Sequence, residues 1–166
     1  IFCSGVVFIL ILKNSKKDKK VELLPEIISG EKIGTFAVYE SDKYEINQDT
    51  LNTQLTTTDS GYILSGNKKY VMFGDVSDYI AVLAKHEDGY KFVLVSSGSD
   101  GVTIKETTSL DQTRPMCEVE MSDVALDSDA VLIELDSELS EWNKVKNIAL
   151  GYLAMEQVGA SQACLD

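Results

Sequence analysis

LPEIISGEKIGTFAVYE, residues 24–40, is the stretch that decides the fold, because the chain changes here from helix to strand. The residues before Pro25 are rich in lysine and helical in character, and Ser29-Gly30 predicts the end of a helix. Residues 33–38 then begin a series of β-type residues that continues for about a hundred positions. The sequence therefore predicts a helix end, a turn and the first strand of a β domain.

The composition bounds the class of protein. The 166 residues, 44% of them hydrophobic, are enough for one domain of ordinary size with additional pieces at its ends. A net charge of −12 disfavours nucleic acid and anionic membrane surfaces as partners. Residues 1–12 are strongly apolar, but a bilayer span needs about 20 such residues, so we expect a buried helix and no membrane span.

Cysteine and histidine are sparse. Cys3, Cys117 and Cys164 are far apart and odd in number, which indicates neither a disulfide framework nor a zinc site and is typical of a reducing, cytoplasmic setting. The single histidine, His86, lies in the turn sequence KHEDG, and we expect a solvated turn residue. We therefore predict no metal site.

The residues after Lys32 read as strands and turns. The motif 65–67, Ser-Gly-Asn, predicts a first hairpin between residues 62–64 and 69–72, and the motif 87–89, Glu-Asp-Gly, predicts a second between residues 79–84 and 90–95. Residues 117–122 alternate apolar and polar, as in a strand with one packed face. Short, evenly punctuated strands without helical crossovers favour an antiparallel barrel or sandwich.

The last part of the chain returns to a helical period. Ser137 or Ser140 could cap this helix, and apolar residues recur at a helical spacing from Val145 to Met155. The helical pattern reaches Asp166 without a stop signal and the chain lacks an initiator methionine, so we expect an internal segment of a longer protein. No pair of carboxylates has a pattern that marks a general acid and base.

Four segments resemble the acyl-CoA dehydrogenase family. Residues 24–40 are similar to the family's L-P-x-x-x-S-G-E-x-x-G-x-F-A-x-T-E, and GYILSGNKKYVMFGDVSDYIAVLA (61–84) resembles its G-(Y/W)-x-L-x-G-x-K-x-(W/F) segment, which ends in A-D. SLDQTRPMCEVEMSDVAL (109–126) resembles a later strand with L-D-x-T-R-P, and ALGYLAMEQVGASQACLD (149–166) resembles the first long helix of the C-terminal domain. The four segments lie in the family's order and spacing.

The resemblance implies a mainly β fold with flanking helices: residues 1–31 as the end of an N-terminal helical domain, 32–135 as a middle antiparallel β-barrel domain and 136–166 as the start of a C-terminal helical domain. It also implies FAD as cofactor. Carried over by position, the family's flavin contacts fall on two groups of residues. The first group is Phe36, Val38 and Tyr39, and the second is Tyr70, Val71 and Met72. Core packing is the alternative role for Phe36, Val38 and Val71, whereas the ring of Tyr70 is suited to stack on a flavin.

Two departures from the family pattern bear on catalysis. Tyr39 and Met72 stand where many members have threonine, and the usual Pro-Gly-x-Gly-Ser-Asp loop is replaced by SDKYEINQ (41–48), so no cofactor contact is assigned to residues 41–49. The family's reaction is α,β-dehydrogenation of an acyl-CoA, with a glutamate base in the C-terminal domain. That base would lie beyond Asp166, so no catalytic residue is assigned here.

The resemblance further implies an acyl-CoA substrate, an electron-transfer flavoprotein or similar acceptor, and a homo- or hetero-oligomer. Tyr39, Met72 and the replaced loop keep a second hypothesis open: a flavin-poor or non-catalytic subunit that pairs with an active one. An oxidase or monooxygenase of the same family and a plain β interaction module are further alternatives. Since half of the flavin envelope would lie outside this segment, we expect the isolated chain to bind FAD poorly.

Overall fold

The computed structural model describes residues 2–15, 17–42, 46 and 50–165, without the side chains of residues 2–4 and 17–20. A helical segment with π-type hydrogen bonding, Phe2–Phe8, leads into α1 (Ile9–Lys13), which α2 (Lys17–Ser29) follows. Eight strands come next: β1 (Gly34–Ala37), β2 (Gln54–Thr58), β3 (Gly61–Met72), β4 (Tyr79–His86), β5 (Gly89–Ser96), β6 (Val102–Thr107), β7 (Met116–Asp127) and β8 (Val131–Leu135). A 3₁₀ turn, Gly74–Val76, separates β3 from β4, and α3 (Ser140–Ala163) closes the order.

The predicted change from helix to strand is confirmed. Helix α2 ends at Ser29, and Gly30 takes a positive φ of 78°, a conformation that glycine adopts without steric cost. The amide of Lys32 donates to the carbonyl of Glu26 at 3.1 Å and so closes the helix end before β1 begins at Gly34.

The strands form one sheet in the order β6-β7-β3-β2-β4-β5-β8, with β1 also paired to β4. Most pairs are antiparallel, but β1 and β2 both run parallel to β4. The described strands make an open path from β6 to β8, so closure into the predicted barrel is not observed. The prediction of a mainly β fold with flanking helices is confirmed.

Two hydrophobic clusters cover opposite faces of β4. Ala81 and Leu83 belong to the cluster that also contains the N-terminal helical residues and the start of α3. Ile80 and Val82 belong to the cluster formed with β3, β5 and β7. Strand β4 is therefore buried on both faces, which explains its nearly continuous apolar sequence.

The second predicted hairpin and the half-buried strand are confirmed. Strands β4 and β5 pair antiparallel down to His86 opposite Gly89. In β7, Cys117, Val119 and Met121 are buried, whereas the polar residues between them are half-buried or exposed. Residues 97–101 separate β5 from β6.

The first predicted hairpin is wrong, because residues 61–72 form the single strand β3. The sequence predicts Gly66 as a turn residue, but in the structure it allows a close approach of Thr53: a Cβ added at Gly66 would lie 2.6 Å from the Cα of Thr53. Glycine inside a strand commonly marks such an approach of a second backbone.

Neither predicted serine caps α3. Leu139 occupies the N-cap position with φ 55°, and the amide of Ser140 donates to Asp136 Oδ1 at 2.8 Å. The apolar pattern of the helix is used only at its start, where Trp142, Val145 and Ala149 are buried. Ile148, Tyr152 and Met155 are exposed.

The apolar N-terminal residues form the buried helix that the sequence predicts. Val7, Phe8, Ile11 and Leu12 are each no more than 2% exposed. Among the described residues, no helix combines the length and the hydropathy that crossing a bilayer requires.

Candidate functional site

The structure brings together the two segments that carry the predicted cofactor residues. The hydroxyl of Thr35 in β1 donates to the carbonyl of Met72 in β3 at 2.7 Å. Beyond β1, the carbonyl of Tyr39 accepts the amide of Lys69 at 2.8 Å. Residues 35–39 therefore run beside the second half of β3.

A second contact joins the start of β1 to the start of β4. The carboxylate of Asp78, just before β4, accepts the amide of Ile33 at 2.9 Å and the ammonium of Lys32 at 2.9 Å. These bonds lower the pKa of Asp78, with the Ile33 amide as the largest cause. The entry into β1 and the entry into β4 are therefore joined.

Tyr70 lies at a bulge in β3. The register with β7 shifts between Lys68 and Val71, and Tyr70 takes a positive φ of 58°, a conformation that costs a non-glycine residue about 1–2 kcal/mol. In a regular strand Lys68 and Tyr70 would share one face. The bulge instead buries Lys68 completely and leaves Tyr70 41% exposed.

The hydroxyl of Tyr70 donates to the carboxylate of Asp42. This bond connects the bulge to the chain that follows the first segment. Phe73, three residues on, also has a positive φ, of 56°. Two strained residues thus bracket Val71 and Met72, and such strain is concentrated at functional sites in proteins.

The six predicted cofactor residues have different environments. The side chains of Val38 and Val71 are buried in the two hydrophobic clusters, so these residues present only backbone atoms to a ligand. Tyr39 and Met72 are half-buried. Phe36 is also half-buried and packs against Trp142, with ring centroids 6.0 Å apart.

A pocket of about 210 Å³ opens beside Tyr39, at the start of α3. Trp142, Asn143 and Lys146 lie in its lining. The indole Nε1 of Trp142 is buried and has no hydrogen-bond acceptor among the described residues. A buried donor of this kind calls for an explanation, and an acceptor on a bound molecule or a water is one.

A buried ion pair lies beneath the two segments. Lys68 Nζ is 2.7 Å from Glu40 Oε1, and the two side chains are 0% and 6% exposed. The same ammonium donates to the carbonyl of Val38 at 3.3 Å. The carboxylate of Glu40 also accepts the amides of Asn52 at 2.5 Å and Thr53 at 3.0 Å.

Burial lowers the pKa of Lys68 to about 8, although Glu40 acts in the opposite direction. For Glu40, burial opposes ionisation, but the charge and hydrogen bond of Lys68 and the backbone amides outweigh it and lower the pKa. Both groups are therefore charged in neutral solution.

Sequence reasoning missed this pair. Glu40 is the final residue of the first quoted motif, and Lys68 is the lysine of the second. Both residues therefore belong to motifs that the sequence analysis identified. The contact between them was not predicted, because a single sequence does not show which residues of two distant motifs meet. A lysine between two predicted strand halves reads as a solvated turn residue.

The expectation for His86 is wrong. The residue ends β4 and is 8% exposed, with Nε2 2.9 Å from Thr57 Oγ1 and Nδ1 accepting the amide of Asp88 at 3.3 Å. Within the described residues, the only grouping of potential metal ligands is His86, Glu87 and Asp88. Since both ring nitrogens already have partners, we assign no metal there.

Some expectations concern residues outside the described set. This group contains residues 43–45, 47 and 48 of the replaced loop, Asp49, and the side chain of Cys3. Cys117 is buried and Cys164 exposed, both as free thiols.

Comparison with known proteins agrees with this architecture. The family model for the acyl-CoA dehydrogenase middle domain matches residues 35–124. A mitochondrial 2-methylacyl-CoA dehydrogenase of Solanum tuberosum is 30% identical over 100 residues, which are 60% of this chain and 22% of the relative. A mitochondrial isovaleryl-CoA dehydrogenase of the same plant is 24% identical over 170 residues, 94% of this chain and 39% of the relative.

The fold is also similar to solved structures. The crystal structure of a glutaryl-CoA dehydrogenase from Mycobacterium smegmatis in complex with FADH2 superposes with a TM-score of 0.75 at 26% identity, over 87% of this chain and 39% of that one. The chain thus spans about two fifths of the length of these relatives or less. Because the family model covers more than half of its 166 residues, the chain belongs to the acyl-CoA dehydrogenase family.

Proposed function

We propose that this chain is a segment of an FAD-dependent acyl-CoA dehydrogenase and forms one wall of its flavin and substrate cleft. In this proposal residues 1–31 end an N-terminal helical domain, residues 32–135 form the middle β domain, and residues 136–166 begin a C-terminal helical domain. The substrate is an acyl-CoA thioester, and the reaction is its α,β-dehydrogenation.

The observation that carries the proposal is the strained, exposed position of Tyr70 beside the first segment. A bulge with φ 58° turns its ring outward, and Thr35 and Tyr39 join the two segments by hydrogen bonds to β3. Planar aromatic rings stack favourably. Tyr70 supplies such a ring, and the half-buried Tyr39 and Met72 belong to the two segments that these hydrogen bonds join.

The residues present fit a bound flavin in a second respect. Trp142 Nε1 is a buried donor without an acceptor among the described residues, and Trp142 lines the pocket beside Tyr39. A cofactor or substrate carbonyl would satisfy this donor. The glutaryl-CoA dehydrogenase from Mycobacterium smegmatis, solved with FADH2, supports FAD as the cofactor.

When bound, FAD would supply the hydride acceptor, since cofactors carry the redox chemistry in such enzymes. This chain's own residues would bind and orient the cofactor. Tyr70 would stack on the flavin, and Phe36 and Tyr39 would line the adjoining surface. The side chains of Val38 and Val71, buried in the two hydrophobic clusters, would anchor the backbone of the two segments. We assign the catalytic base to a residue outside this segment.

The partners follow from the same proposal. Electrons pass to an electron-transfer flavoprotein or a similar acceptor, and the subunits form homo- or hetero-oligomers. An electron-transferring flavoprotein of Acidaminococcus fermentans and the ChsE4-ChsE5 complex of Mycobacterium tuberculosis occur among the structures of similar fold. The cysteine pattern favours a reducing compartment such as the cytoplasm.

The test is native purification of the full-length protein. We expect it to retain flavin and to lose the visible flavin absorption when an acyl-CoA is added without oxygen. Protein that is folded but purifies without flavin, and does not take up added FAD, would overturn the proposal.

The second candidate is a flavin-poor subunit that pairs with an active partner. Met72 favours it, because a thioether accepts hydrogen bonds only weakly where a hydroxyl would both donate and accept. In that case the protein would copurify with a flavin-containing relative and lack flavin of its own. The two candidates therefore differ in which subunit holds the cofactor.

A further inference from the structure

The buried pair of Lys68 and Glu40 has no role in the proposed function as stated so far. The side chains of the pair are almost wholly covered, with 0% of Lys68 and 6% of Glu40 exposed. Its role must therefore act through other residues.

The contacts of the pair surround Tyr39. Lys68 Nζ bonds to the carbonyl of Val38 at 3.3 Å and to Glu40 Oε1 at 2.7 Å, and these residues flank Tyr39 on both sides. Lys68 itself lies two positions before Tyr70, at the start of the register shift. One ammonium group is thus connected to the backbone of both segments that present aromatic rings.

The carboxylate extends the same network to a third piece of chain. Glu40 accepts the amides of Asn52 and Thr53, just before β2. Two residues beyond Glu40, Asp42 accepts the hydroxyl of Tyr70. Movement of Glu40 would therefore be transmitted to both Tyr39 and Tyr70.

A buried ion pair is a costly way to hold strands together, because apolar residues of similar volume often stabilise a protein as well or better. The pair instead fixes the relative positions of the groups that it joins, since charge-assisted hydrogen bonds are short and geometrically specific. Within the described part of the chain, Glu40 is the charged group that raises the pKa of Lys68.

We propose that Lys68 and Glu40 are positioning residues that fix Tyr39 and Tyr70 for flavin binding, so that FAD affinity depends on the charge of Lys68. This inference rests on the proposed function. It adds that neither residue touches the cofactor and that their ionisation controls how well the wall is formed.

The direction of the pH dependence follows from the burial of Lys68. Its pKa in the folded protein is lowered to about 8 from an ordinary value of 10.5. Below pH 8 the ammonium holds Glu40, and above pH 8 the neutral amine loses the charge assistance. FAD affinity should therefore fall as the pH rises through 8.

The free energy of unfolding changes with pH in the direction opposite to the expected FAD affinity. Between pH 8 and 10.5 the unfolded chain binds a proton that folded Lys68 has released, so this group makes the protein more stable as the pH rises. Loss of FAD in this window is thus not explained by unfolding. A merely structural pair would not weaken flavin binding there.

The experiment measures the dissociation constant of FAD for the full-length protein at pH 7 and pH 9 by flavin fluorescence. If only the form with charged Lys68 binds well, about one molecule in ten is competent one unit above the pKa, and the dissociation constant rises about ten-fold. Lys68→Met should bind FAD more weakly at pH 7 and lose this rise. Lys105→Met, which removes a surface pair with Glu120 (3.3 Å), is the matched control and should resemble the unmodified protein.

The outcomes separate the two proposals. No FAD binding by the unmodified protein at either pH overturns the proposed function and this inference with it. Binding that is equal at pH 7 and 9, or Lys68→Met binding that equals the Lys105→Met control, overturns only the inference. If Lys68→Met does not fold, the inference is tested by the FAD affinity of Glu40→Gln and by the pH series on the unmodified protein.

Discussion

Replacing Glu40 by alanine is the sharpest test of the buried pair's contribution to stability. The change leaves the ammonium of Lys68, 0% exposed, with the carbonyl of Val38 at 3.3 Å as its hydrogen-bond partner among the described residues. It also removes the acceptor of the Asn52 and Thr53 amides. Removing one partner of a buried pair costs about 3–5 kcal/mol. We expect Glu40→Ala to lower the free energy of unfolding at pH 7 by that amount.

The pH dependence provides a second criterion. Glu40 raises the pKa of Lys68, so without it the pKa falls below about 8. Between the folded-state pKa of Lys68 and the ordinary lysine pKa, the free energy of unfolding increases by about 1.4 kcal/mol per pH unit. In the variant this increase begins at a lower pH than in the unmodified protein. Urea denaturation at pH 7, 8 and 9 measures both effects.

Glu120→Ala is the control, since Glu120 and Lys105 form a pair whose side chains are 52% and 65% exposed and contribute little. A loss for Glu40→Ala that equals the control, or identical pH slopes for the variant and the unmodified protein, would refute the assignment of a coupled buried pair.

Three further predictions follow from burial and packing. Gly66→Ala should lower the free energy of unfolding by about 1–3 kcal/mol, because its Cβ would lie 2.6 Å from Thr53 Cα, whereas Gly98→Ala, with nothing within 4 Å, should be neutral in the same urea titration. Burial raises the pKa of the Cys117 thiol, so a thiol reagent should label exposed Cys164 and leave Cys117 unmodified in the native protein; equal labelling on mass mapping would contradict this. The pKa of Glu40 is lowered from 4.5, so its contribution is present above pH 4.5 and is lost at lower pH, and Glu40→Gln should show a shallower fall in stability on acidification than the unmodified protein.

The sequence was informative where local chemistry decides the structure. The helix end at Ser29-Gly30, the hairpin at residues 87–89 and the alternation in β7 depend on turn residues and on a period of two, and all three are confirmed. The resemblance also placed residues 36–39 and 70–72 in one site, and the structure places them side by side.

Tertiary contacts decided the features that the sequence did not reveal. Gly66 reads as a turn residue until Thr53 is known to pack against it, and Lys68 reads as solvated until Glu40 is known to lie 2.7 Å away. The sequence predicts His86 as a turn residue because the Asp-Gly signal dominates locally, but Thr57 on β2 lies within hydrogen-bond distance of its ring. In each case the deciding partner is at least 13 residues distant in the chain.

The central claim is that residues 36–39 and 70–72 form a flavin-binding wall. A crystal structure of the full-length protein with FAD tests it most directly. We predict that the isoalloxazine ring lies against the ring of Tyr70, with Tyr39 and Met72 at its border. An isoalloxazine bound elsewhere, with Tyr70 free in solvent or covered by protein, would contradict the account.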